Sequence, residues 1–258
     1  MKASTFFKNL ALIALFCLWV APGPAAGTDP LQEADELLKS PTLDLGHAIY
    51  VLDLYTKILA RAHSPQAPIL TRLARTCFII GELTLPSQRQ KYYEKGQTYA
   101  EMLLKEQPTR VEGRYWLALN HCGLADAGGV MEGKRLLPQI MKELQQVQTL
   151  DETYDQAGCH RVLGRIYYEA PGWPFSVGDL QKSLQHLTQA VRLAPDNSTN
   201  HLYLAETLIK LNRQAQARQE LERVLKCSSH AWLAKGVEED RQEARRLLAR
   251  VNASPGAD

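Results

Sequence analysis

Small and apolar positions recur along this chain at helical spacing in four places. Gly96, Ala100 and Leu103 lead to Pro108, and Ser183, Leu187 and Ala190 lead to Pro195. Ile140, Leu144 and Val147 before Glu152, and Ala217, Leu221 and Val224 before Ser229, are looser copies. Steps of four and then three put these residues on one helix face, and the stop that follows ends the helix. Each copy is preceded by an apolar residue beside a small one: Leu73-Ala74, Leu117-Ala118, Leu163-Gly164 and Leu204-Ala205. The small residue lets a second helix approach closely. The pattern therefore predicts helix pairs in succession, and no segment is strand-rich.

Paired helices of this kind match the tetratricopeptide pattern. The small residues of the last pair, Ala205 and Ala217, are 12 apart, the usual separation for that repeat. The earlier separations are longer: 22 from Ala74 to Gly96, 22 from Ala118 to Ile140 and 19 from Gly164 to Ser183. The extra residues must lengthen helices or build loops at one edge of the stack. A degenerate first pair is expected at 34–39 and 46–63. A capping helix is expected at 236–251, where Ala244, Leu247, Leu248 and Val251 share a face. The fold expected is all-α, a tetratricopeptide-like solenoid of about five antiparallel helix pairs plus a C-terminal capping helix.

The first 27 residues read as a cleaved signal peptide, with Lys2 and Lys8 ahead of the apolar run Leu10–Val20 and small residues at 21–27. That run is too short to span a bilayer, which takes about 20 residues. Residues 28–258 are expected to form a single repeat domain in the periplasm of a Gram-negative bacterium. Cleavage removes two bases and no acid, leaving 28 of each. A neutral chain gives no electrostatic case for nucleic acid. Four cysteines remain, Cys77, Cys122, Cys159 and Cys227; an exported protein permits disulfides, but no compact framework spacing is present and most of the four read as buried free thiols.

Catalytic chemistry finds no setting. Gly128–Arg135 approaches a phosphate loop, but Arg135 stands where Ser or Thr should be and no strand precedes it. It reads as a glycine-rich turn between helices. His160 and His201 hold the same slot in successive repeats and read as core. No H-x-x-x-H or C-x-x-C occurs. Neither a catalytic residue, a metal nor a cofactor is expected, and the chain reads as non-enzymatic.

The most unusual segment is 159–179. Pro171, Gly172 and Pro174 force a fixed turn carrying Trp173 and Phe175, after which Ser176 or Asp179 caps the next helix. Arg161 and Arg165 share a helix face with Tyr168 close by, and two guanidinium groups there can hold a carboxylate or phosphate. The alternative is pairing with acids of a neighbouring helix, such as Glu206. A second strip carries Trp116 as core, with Tyr115 and Asn120 expected to be exposed. The candidate binding residues are thus Tyr115, Asn120, Arg161, Arg165, Tyr168, Trp173 and Glu206.

The runs Tyr115–Asn120, His160–Tyr168, Pro171–Asp179 and Asn200–Glu206 together resemble the T-component family of tripartite TRAP transporters. That resemblance implies a non-catalytic periplasmic adaptor that contacts a solute-binding protein, with an interior groove or pore for a small acidic or apolar ligand. The chain lacks the lipoprotein cysteine that would tether it to a membrane. The alternative is a cell-envelope assembly scaffold that holds a peptide or helix of another protein. Self-association as a homo-oligomer stays open on either reading.

Overall fold

The computed structural model describes residues 29–61, 66–172, 174–230, 232–233 and 235–253. The expected signal peptide and Trp173 lie outside these residues. Ten helices are described: α1 Pro30–Lys39, α2 Leu45–Arg61, α3 Ala67–Leu83, α4 Pro86–Glu106, α5 Val111–Asp151, α6 Tyr154–Glu169, α7 Leu180–Leu193, α8 Ser198–Lys210, α9 Gln214–Val224 and α10 Gly236–Ala253. Helix α5 is two helices joined at Gly129, whose φ of 73° only glycine adopts readily. The glycine-rich stretch is therefore the hinge between two arms. With that division the described residues form five pairs and a closing helix, an all-α tetratricopeptide-like solenoid.

Local chemistry sets the helix ends. Asp29 accepts from the Leu31 N–H ahead of Pro30, and Asp179 accepts from Gln181 and Lys182 at the start of α7. Helix α6 stops at Glu169, one residue before the extended Ala170 that Pro171 requires. The turn after it is closed by the Gly178 N–H donating to the Pro171 oxygen at 2.9 Å, and Phe175 stands out of it, 77% exposed.

The small residues do what their positions suggest. Ala74, Ala118, Ala205 and Ala217 are fully buried where helices cross. A Cβ on Gly96 would lie 2.1 Å from the Asn120 side chain, so α4 and α5 meet there at the closest distance glycine allows. In the later pairs Leu187, Leu204, Leu208 and Ala217 form one cluster. Ala244, Leu247 and Val251 of α10 close the stack against Leu202, Leu221 and Val224. No described helix is long and apolar enough to cross a membrane.

Candidate functional site

The first helices of successive pairs face one groove. A cavity of about 310 Å³ there is walled by Phe78 and Glu82 of α3, Leu119, Cys122 and Asp126 of α5, and Arg161, Val162, Arg165, Ile166 and Glu169 of α6, with Tyr203 of α8 at one side. A second cavity of about 800 Å³ adjoins it through Cys122, Asp126, Ile166 and Glu169. Its walls are mostly apolar, among them Val130, Leu137 and Ile140 of the second arm of α5 and Phe175 of the α6–α7 turn. The rim carries the carboxylates Glu82, Asp126 and Glu169, all exposed.

The sequence pointed to part of this groove. Arg161 and Arg165 both line it, four residues apart on one face. Arg161, however, is completely buried and its terminal nitrogens are engaged. Nη1 donates to the main-chain oxygens of Asp155 and Gln156, each at 3.2 Å, and to Asn200 Oδ1 at 3.3 Å. Nη2 donates to Asp155 Oδ2 at 2.7 Å, the Asp155 carbonyl at 3.2 Å and the Tyr115 hydroxyl at 3.0 Å. Nε alone is buried without a partner.

Those bonds hold an unusual piece of backbone. Asp155, Gln156 and Ala157 have φ of 50°, 56° and 62°, left-handed at three consecutive residues that carry Cβ atoms. Each costs about 1–2 kcal/mol relative to a right-handed turn. Asn200 Nδ2 donates to the Gln156 oxygen, and Asn197 Nδ2 donates to its side chain. The turn thus rests on α6, α8 and Tyr115 of α5 together. Burial pushes the Asp155 carboxyl up, against the pull of Arg161.

Tyr115 and Asn120 are not exposed as expected. Both are fully buried. The Tyr115 hydroxyl must turn inward to donate to Asp155 Oδ2 at 2.6 Å, where it also accepts from Arg161. Asn120 Nδ2 donates to the oxygens of Trp116 and Ala74, tying α5 to α3. Trp116 is core, and its indole N–H donates to the Tyr154 hydroxyl.

Arg165 ion-pairs with Glu206 of α8 and, at 2.6 Å, with Glu169. Its guanidinium lies 4.8 Å from the Tyr168 ring centre and 4.5 Å from that of Tyr203. Burial raises the Glu206 carboxyl, and the Arg165 charge opposes the rise. Tyr168 is half-buried in this stack, with Lys210 Nζ 3.5 Å from its ring centre. Tyr168 and Glu206 therefore brace Arg165 from outside the cavity wall.

Several groove residues were not picked out from sequence. Glu82 and Asp126 carry a signal that was there to be used, since each stands eight residues after the small residue of its repeat, Ala74 or Ala118. Trp232 carries none. It belongs to the α9–α10 connection, yet its ring packs edge-on against Phe78 at 5.4 Å and lies 5.5 Å from the Arg161 guanidinium. Cys122, at the junction of the two cavities, has its thiol pushed up to about 12 by burial. Among the described residues no group of three or more His, Cys, Asp or Glu is placed to hold a metal.

The fold has a counterpart among solved structures. The crystal structure of a thermophilic TPR protein from Thermus thermophilus aligns with a TM-score of 0.61 at 19% identity, over 87% of this chain and 98% of that one. No curated protein matches the sequence. A tetratricopeptide repeat model matches residues 175–230, which hold the last full pair. These matches carry the repeat architecture, and with it a fold typical of protein-interaction adaptors; the T-component likeness rests on the sequence motifs alone. A second model, described as Regulator of microtubule dynamics protein 1-3, matches residues 30–175, more than half of the chain and every groove-lining element of α3, α5 and α6. The chain belongs to the regulator of microtubule dynamics protein 1-3 family.

Proposed function

We propose that this chain is a non-catalytic adaptor that holds a segment of a partner protein in the groove formed by α3, α5, α6 and α8. The observation that carries the reading is the groove itself: the first helices of consecutive pairs present an apolar floor and an acidic rim to one space. Repeats of helix pairs use such surfaces for recognition. Arg161, the residue best suited by charge to chemistry, is committed to supporting backbone. The proposed setting is the periplasm, reached through the signal peptide read at 1–27.

The T-component resemblance makes a solute-binding protein the first partner to look for. The cavity of about 800 Å³ favours a companion reading, in which a small apolar ligand also enters the groove. An envelope-assembly partner is the alternative, reached through the same surface.

The test is isolation of tagged chain from its own cell envelope, comparing wild type with Asp126→Arg/Glu169→Arg. Both residues are exposed at the rim, so the fold should survive. A partner that co-purifies with wild type and with Gln97→Arg on α4, but not with the rim variant, supports the reading. Equal recovery from all three would overturn it.

A further inference from the structure

The groove is already partly filled by the chain itself. Between α9 and α10, the described residues of the connection reach from α8 to α3. Its near end is tied to the start of α8 and the turn before it: the Ser198 N–H donates to the Ser229 oxygen at 2.8 Å, and the Ser228 N–H donates to the Asp196 carboxylate Oδ1 at 3.1 Å. Its far end enters the groove through side chains. Trp232 packs on Phe78 and Arg161, while Leu233 joins the α2–α3 core cluster. His230 Nδ1 accepts from the N–H groups of both Trp232 and Leu233, which fixes the bend that delivers them.

The fit is incomplete in one specific way. One buried donor in this region, Arg161 Nε, has no acceptor. Buried donors are nearly always paired, and each one left unpaired costs about 1–3 kcal/mol. A cavity of about 310 Å³ stays open beside the indole. The seat therefore suits an aromatic ring, and a neighbouring donor waits for an oxygen. An extended peptide supplies both, a side-chain ring and a main-chain carbonyl one residue away. Tryptophan is also the side chain most enriched among the anchors of protein interfaces.

We propose that Trp232 is an internal stand-in for the partner: the groove recognises an extended segment through one aromatic side chain, which takes the seat now held by Trp232. The proposal rests on the adaptor reading and names the kind of segment that surface takes. Trp232 is tethered, so it competes at high effective concentration, and its removal should raise affinity for a segment supplied from outside.

The experiment titrates a labelled synthetic peptide of residues 226–236 onto full-length wild type and Trp232→Ala, with binding read by fluorescence anisotropy. Binding at least ~10-fold tighter to Trp232→Ala than to wild type is expected, and it should be abolished when the peptide's own Trp232 is replaced by Ala. Equal binding to the two chains, or none to a Trp232→Ala chain whose helical circular dichroism matches wild type, would overturn the proposal. Trp232→Phe serves if the Ala variant does not fold, with an affinity between the two expected and no gain over wild type counting against the proposal. Failure here removes the aromatic-segment inference; the adaptor reading is judged separately by the rim-variant isolation.

Discussion

Arg161 and Asp155 are joined three times, through one side-chain ion pair at 2.7 Å and two bonds from the guanidinium to the Asp155 carbonyl at 3.2 Å. The aspartate stands at φ 50°. Helix α6 therefore carries, in its first turns, the side chain that holds its own left-handed entry in place. Arg161→Ala would leave a buried carboxylate without its counter-charge and would remove the guanidinium bonds to the left-handed Asp155 and Gln156. The expected loss is about 3–5 kcal/mol, and Arg161→Lys should recover little because an ammonium cannot serve five acceptors in a plane. Urea denaturation decides it, a loss below about 1 kcal/mol being incompatible with this role.

The two kinds of glycine should respond oppositely to alanine. At Gly96 an added Cβ meets Asn120 at 2.1 Å, whereas at Gly133 nothing lies closer than 4.0 Å. Gly96→Ala should cost about 1–3 kcal/mol through forced separation of α4 from α5. Gly133→Ala should gain up to about 1 kcal/mol from helix propensity. Thermal melts of the pair check both signs at once.

All four described cysteines are free, and burial holds the thiols of Cys77, Cys122 and Cys159 near 12 and that of Cys227 near 11. Thiolate is the reactive form, so alkylation of the folded chain at pH 8 should be slow at every site. Cys122, half-buried and lining both cavities, should react first. Counting labels by mass spectrometry without reductant should find all four of these cysteines labelled in denaturant; any of the four left unlabelled would mean that disulfides form.

His186 lies with Nδ1 3.0 Å from His160 Nδ1, and burial, reinforced by His160, depresses its pKa to about 4. The unfolded chain takes up this proton near pH 6.5 and the folded chain does not. Stability contributed by neutral His186 is therefore full above about pH 6.5 and is lost as pH falls toward 4. Relative to His186→Asn, wild type should lose ground in melting temperature between pH 7 and pH 5. Buried carboxyls such as Asp240 titrate in both chains, so the difference isolates the histidine. A difference constant with pH would exclude this account.

The repeat frame was legible because its signal is local: a small residue at a helix crossing, an apolar stripe and a proline stop, all within a few turns. Ala205 and Ala217 at 12 residues fixed one pair, and the longer spacings elsewhere became the longer helix α4, the two arms of α5 and the closed turn before α7. Tyr115 and Asn120 misled because amphipathic side chains suit a wet groove as well as a core. Their burial depends on Asp155, 40 residues on, and on Ala74, 46 residues back. The left-handed turn at 155–157 has no glycine to announce it, since its supports are Arg161, Asn197 and Asn200. Trp232 was invisible because it belongs to no repeat and its partner Phe78 stands on α3, far back along the chain.

Partners that engage the groove on the first helices should touch its rim and leave α4 untouched. A photo-reactive amino acid at Asp126, on the groove rim, and one at Glu101, exposed on α4, would be cross-linked in intact cells and the adducts identified by mass spectrometry. A discrete protein adduct at Asp126 and none at Glu101 is the expected result. The same adducts at both positions, or an adduct at Glu101 alone, would contradict it.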